Sequence, residues 1–250
     1  MTNRCANFAA IGVALFVAVA RVTAVDAAEV KVFTARAIAT VLAKIGPEFE
    51  RTTGHKLNVI SGFGPVFLRQ INAGESFDVF VSTPAGMETL FKDGKLIADT
   101  RTNLARAGTG VEVRAGAPKP DIGSVEAFKR ALLNAKSIGY LRVAGVPQLV
   151  ERLGIADAIK SKVTIPDRDI VSEQVAKGEL ELGIMVITQI LTTPGVELVG
   201  PLPPEIQLYI DFAAGVSTRA KAPDAAKALI KFLTGPTAIP VIKSQGMEAG

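Results

Sequence analysis

Segments that alternate like strands are followed, repeatedly, by segments with helical spacing, and this alternation constrains the fold more than any other feature. Val30, Lys31, Val32 and Phe33 alternate with the period of a strand, and Ile38, Val41, Leu42, Ile45 and Phe49 then recur at the spacing of one helix face. Leu57 to Ile60 reads as a second strand, followed by a glycine-containing turn and a helix over 65–73 that Gly74 can end. Asp78 to Val81 reads as a third strand. The pattern continues with a Ser124-capped helix to Leu133, a strand over 137–141, a helix over 147–153, a helix over 169–177 ended by Gly178, and a strand over 182–186. Strands that alternate with helices pack as parallel-rich sheets covered by helices, so the expected class is α/β.

Two extended stretches, 105–114 and 208–217, break this rhythm, and each is followed by an Ala-Pro turn. They read as the two passages of the chain between lobes. Residues 28–107 with 209–250 then form one lobe and 108–208 the other, each with its own sheet. A cleft between such lobes is lined by strand-to-helix turns, where open parallel sheets bind ligands and helix N-termini offer free N–H groups to anions.

The N-terminus points to export. Arg4 precedes an apolar run over 8–20, and small residues lead to Val25, Asp26 and Ala27, the order of a cleavable signal peptide spanning 1–27. The alternative is a membrane anchor, which needs about 20 apolar residues, whereas Arg21 interrupts this run. The expectation is a periplasmic chain without stable membrane insertion. Cys5, the sole cysteine, falls within the leader, so the mature chain has no disulfide framework, no cysteine-based metal site and no thiol nucleophile. Removing 1–27 changes the 28 basic and 24 acidic residues to 26 and 23. A balance so mild, without basic blocks interleaved with aromatics, speaks against nucleic acid as a partner.

Four segments in order, VFTARAI (32–38), TTGHKLNVISGFGPVFLRQINAGESFDVFVST (52–83), GELELGIMV (178–186) and AAKALIKFLTGPTA (225–238), resemble successive landmarks of the molybdate-binding receptors of ABC transporters. The resemblance covers almost the whole mature chain. It implies the two-lobed type II periplasmic-binding fold, a small anionic ligand, a monomer without cofactor, and a permease with its ATPase as partner. It also implies that the anion is held by hydroxyls and backbone N–H groups at helix starts. At three such positions this sequence departs from the family, with Ala37 and Phe63 in place of serines and Val186 in place of a tyrosine. Losing neutral donors at about 1.5–3 kcal/mol each weakens tetrahedral oxyanion binding by orders of magnitude.

Charge stands where hydroxyls are missing. Arg36 enters the first strand-to-helix turn, Arg142 follows the strand ending at Leu141, and Arg168 precedes the helix near Asp169. Guanidinium forks match carboxylates bidentately, so the expected ligand is a carboxylate rather than molybdate. The alternative for each arginine is a solvated or locally paired surface residue, for instance beside Asp167 or Asp169. Gly62 and Gly64 bracket Phe63 and let backbone approach a ligand, although a lone Gly-x-Gly makes no phosphate loop. Ser61, Ser82 and Thr83 lie at strand ends facing the same turns. For Thr83, followed by Pro84, the competing reading is an N-cap. Asp78 either orients cleft loops or is a buried, hydrogen-bonded strand-end carboxylate. His55, the sole histidine, has no ligand partner nearby and reads as a surface or capping residue rather than a metal ligand or a catalyst.

A binding protein without catalysis is the leading expectation. The alternative is an exported isomerase of an unsaturated tricarboxylate on the same scaffold, which needs a base within hydrogen-bond reach of the reacting carbon. Tyr140, Tyr209, Asp78 or a lysine are the available candidates, and no spacing singles one out.

Overall fold

The computed structural model describes residues 27–62, 64–141, 145–166 and 170–250. Phe63, Arg142 and Arg168 lie outside the described residues, as does the leader up to Asp26. In chain order the elements are β1 (Glu29–Ala35), α1 (Arg36–Thr53), β2 (Lys56–Gly62), α2 (Gly64–Asn72), β3 (Val79–Ser82), α3 (Pro84–Lys92) and β4 (Thr102–Arg114). Then follow α4 (Val125–Asn134), β5 (Ile138–Tyr140), α5 (Val146–Arg152), α6 (Ala156–Ile159), β6 (Val163–Thr164), α7 (Val171–Lys177), β7 (Leu182–Val186), α8 (Ile187–Ile190) and β8 (Val196–Pro201). The chain ends with β9 (Tyr209–Val216), α9 (Pro223–Leu233), α10 (Ala238–Ser244) and β10 (Met247–Ala249).

Local chemistry explains the boundaries. Helix α1 buries Ile38, Val41, Leu42, Ile45 and Phe49, the stripe expected from its spacing, and ends at Gly54, whose φ of 76° is open to glycine and disfavoured for other residues. Ser124 caps α4 by accepting from the Ala127 N–H, and Gly178 ends α7 in the left-handed region. Short elements without a strong period, namely α6, α8, β6, β8 and β10, have no counterpart in the periodicity.

Parallel pairing, expected from the alternation, joins β1 to β2 and β3, and β5 to β6 and β7. The extended stretches add antiparallel ladders. Residues Thr102 to Gly108 of β4 pair with β9, and from Thr109 onward β4 pairs with β7 and β8. Two separate sheets are therefore not what the hydrogen bonds give: β4 belongs to both ladders, and the strands join in one path, β2-β1-β3-β9-β4-β7-β5-β6. A strand 13 residues long reaches across both halves without a loop, which makes the hydrogen bonding continuous. β9 differs from the expectation too, since it pairs with β3 and β4 in the first ladder, leaving the return passage to the residues just before Tyr209.

The packing is nonetheless divided. One core gathers Val32, Val41, Phe49, Val81, Leu104, Phe212 and Leu229 around the first ladder, with an aromatic annex of Phe33, Phe67, Phe77 and Phe80. A second gathers Val111, Phe128, Leu132, Ile138, Leu149 and Ile184, backed by Val171, Val175 and Met185. Separate cores on either side of a curled sheet give the two-lobed α/β fold. Among the described residues no single helix is long and apolar enough to cross a membrane, and the bent pair α9 and α10 contributes Ala225, Ala226, Leu229, Ile230, Leu233, Ala238 and Ile242 to the first core.

Candidate functional site

The C-terminal ends of β2, β1 and β3 lie side by side. Ala35 is the register partner of Gly62, and Thr34 that of Val81. Helices α1, α2 and α3 start directly after these strands, so three helix N-termini open at one sheet edge. None of the three has an acidic residue in its first turn, a trait shared with α5, α8 and α10, whereas α4, α6, α7 and α9 carry Glu126, Asp157, Glu173 and Asp224 there. Acidic side chains stabilise helix starts by about 0.3–1 kcal/mol, and this edge forgoes that gain three times. Arg36, exposed, is the first residue of α1, where the macrodipole disfavours a cation, and it enters no ion pair among the described residues.

Five of the expected residues come together here: Arg36 and Ala37 at the start of α1, Gly62 at the end of β2, Gly64 at the start of α2, and Thr83 before α3. Gly62 has a packing reason for being glycine, since a Cβ would lie 2.8 Å from the ring of Phe67, which stacks on Phe33 with centroids 4.7 Å apart. A Cβ on Gly64 would approach Ser82 Oγ to 3.3 Å, and one on Gly86 would approach it to 2.9 Å. The buried Ser82 hydroxyl thus sits between the starts of α2 and α3. Thr83 does cap α3, its Oγ1 accepting from the Gly86 N–H at 3.4 Å, and the hydroxyl proton stays free to be donated. Ser61 is exposed.

Val186 ends β7 on the other side of the crossing strand, as the register partner of Thr109. It is half-buried against the first core, as is Ala37. Helix α8 follows immediately, and it packs so closely on the turn before β10 that a Cβ on Gly246 would fall 2.7 Å from Ile187 Cγ2. Val186 therefore lies where the two cores meet.

Asp78 does not belong to this edge. It precedes β3, at the opposite end, is 3% exposed, and accepts from the N–H groups of Lys31 at 2.8 Å and Lys221 at 2.6 Å, with Ala222 at 3.3 Å. His55 is buried rather than on the surface, its Nδ1 accepting from the Ala28 N–H at 3.3 Å. Among the described residues no group of three His, Cys, Asp or Glu side chains could hold a metal ion. One residue that sequence reasoning missed is Thr109, a buried polar residue at the crossing. Its signal was a hydroxyl flanked by Gly108 and Gly110 in the middle of a long strand.

A scaffold of two α/β lobes with helix N-termini along an inner sheet edge is that of a solute-binding protein. The sequence matches the bacterial extracellular solute-binding protein family over residues 30–248, and the chain belongs to that family, in its molybdate-binding-like group. It is 33% identical to the molybdate-binding protein ModA of Azotobacter vinelandii, over 89% of this chain and 91% of that one. It is 26% identical to a protein named aconitate isomerase from a Pseudomonas species, over 96% of this chain and 95% of that one. A transporter substrate-binding domain from Clostridium difficile superposes with a TM-score of 0.76 at 20% identity, covering 89% of this chain and 99% of that domain.

Proposed function

We propose that this is a periplasmic receptor whose lobes, 28–107 with 209–250 and 108–208, close on a small carboxylate-bearing anion and deliver it to an ABC permease. The observation that carries this reading is the trio of acid-free helix starts at one sheet edge with Arg36, in no ion pair among the described residues, at one of them. Free N–H groups and a fixed positive charge favour an anion, and a guanidinium favours the planar carboxylate. In this reading Arg36, Gly64 and Thr83 contact the ligand from the first lobe and Arg142 and Arg168 from the second, while Phe63, Ala37 and Val186 supply apolar walls, and Gly62 lets Phe67 pack beneath. The family's periplasmic relatives support the location, and the leader-like order of residues 1–27 supports export.

A thermal-shift screen of the mature chain with molybdate, tungstate, citrate and trans-aconitate tests it. A ligand at 100 times its Kd stabilises the fold by about 2.7 kcal/mol. The expected result is stabilisation by tricarboxylates and little by molybdate at equal concentration. Micromolar molybdate binding unchanged in Arg36→Ala would restore the oxyanion reading.

The relative named aconitate isomerase favours a second reading, catalysis on an unsaturated tricarboxylate. Binding and turnover separate cleanly: conversion of trans-aconitate to its cis isomer by purified protein, followed by absorbance or NMR, decides for the enzyme.

A further inference from the structure

We infer that the hydroxyl of Thr109 donates a hydrogen bond to the bound anion from the crossing strand, an inference that rests on the anion-binding reading above. Thr109 is 1% exposed, and both of its backbone groups are committed. Its N–H is shared by Leu208 O at 2.9 Å and Gln207 Oε1 at 3.0 Å, and its carbonyl accepts from the Leu202 N–H at 3.1 Å. The side-chain Oγ1 alone is buried with no partner among the described residues. A buried hydroxyl without a partner destabilises the free protein, a cost that the isosteric valine would avoid.

The position gives that cost a use. Gly108 pairs with Tyr209 in the first ladder and Thr109 with Val186 in the second, so the hydroxyl sits at the residue where β4 changes partners. Directly opposed residues of an antiparallel pair share a face, which puts Thr109 beside Val186, at the end of β7 where the family resemblance implies a lost tyrosine. The residue is also held rigidly. A Cβ on Gly110 would lie 2.8 Å from both Gly200 O and Leu198 Cδ1, and the Gln207 amide is fixed by accepting from the Leu208 N–H at 2.9 Å as well. A donor locked before ligand arrives costs little ordering entropy on binding. The strand that joins the lobes thus supplies one of the neutral donors that Ala37 and Val186 no longer can.

Calorimetry with trans-aconitate on wild type, Thr109→Val and Thr109→Ser, beside thermal unfolding of each without ligand, tests this. Thr109→Val is expected to unfold at the same or a higher temperature yet bind about tenfold or more weakly, while Thr109→Ser stays within about threefold of wild type. Equal binding by wild type and Thr109→Val overturns the inference and leaves the receptor reading intact. If the wild type binds none of the screened anions, the two fall together. Should Thr109→Val fail to fold, Thr109→Ala against Thr109→Ser makes the same comparison.

Discussion

Glu112 has none of its surface exposed, and its Oε1 accepts a 2.8 Å hydrogen bond from Ser172 Oγ across the gap between β4 and α7. Gly183 makes room for it, since a Cβ there would collide with that same oxygen. A carboxylate in the second core is tolerated only while its hydrogen bonds hold. Ser172→Ala is therefore expected to destabilise the protein by about 1–3 kcal/mol, and Gly183→Ala by about 2 kcal/mol or more through overpacking, both read from urea unfolding.

Asp78 ties three backbone N–H groups from β1 and the segment before α9. Asp78→Ala leaves buried donors unpaired and is expected to cost about 3 kcal/mol or more, with Asp78→Asn retaining part of it. Because Asp78 lies at the sheet edge away from the helix starts, anion affinity measured on the folded fraction is expected to stay unchanged. A selective loss of affinity in a stable Asp78→Asn protein would move this residue into the site.

At the crossing, Arg106 lies with its guanidinium carbon 4.2 Å from the ring centre of Tyr209, while both residues hydrogen-bond Glu248. The bond from Arg106, then that from Tyr209, holds the Glu248 carboxyl below the usual carboxylate range. Since the folded pKa is depressed, the stabilising contribution is full above the unfolded value and fades as pH falls through the folded one. Carboxyl NMR titration is expected to show Glu248 with a low midpoint that rises in Arg106→Gln. Partial burial, and then Glu248, push the Tyr209 phenol up, so its alkaline titration is expected to move down in Glu248→Gln.

Long periodic segments made much of this fold legible. The face of α1 was readable because Ile38 to Phe49 must be buried together, and β7 because a short apolar run follows the Gly178 stop. β8 and β10 were not, because three to six residues without alternation carry no period, and their pairing with β4 depends on partners far along the chain. For the candidate site, strand-to-helix turns predicted the gathering of Arg36, Gly62, Gly64 and Thr83, since parallel neighbours bring such turns to one edge. Sequence patterns do not give hydrogen-bond partners. Asp78 therefore stayed ambiguous until its backbone donors were known, His55 was read as a surface or capping residue and is buried, and Thr109 passed as one more residue of an extended crossing.

Arg36 provides the sharpest test of ligand class. Its charge at the start of α1 opposes the helix dipole, so the residue costs stability when no anion is bound and gains it when one is. Arg36→Ala is expected to leave the free protein as stable or slightly more stable in thermal unfolding. It is also expected to weaken trans-aconitate binding by about 10-fold or more, in line with about 1.5–3 kcal/mol for a charge-assisted hydrogen bond. Wild-type affinity should fall as salt rises from 0.05 to 0.5 M, an interval over which the screening length shrinks from roughly 14 to 4 Å, and this dependence should be shallower in Arg36→Ala. An equal salt slope in the two proteins would mean that Arg36 faces solvent and makes no contact with the anion.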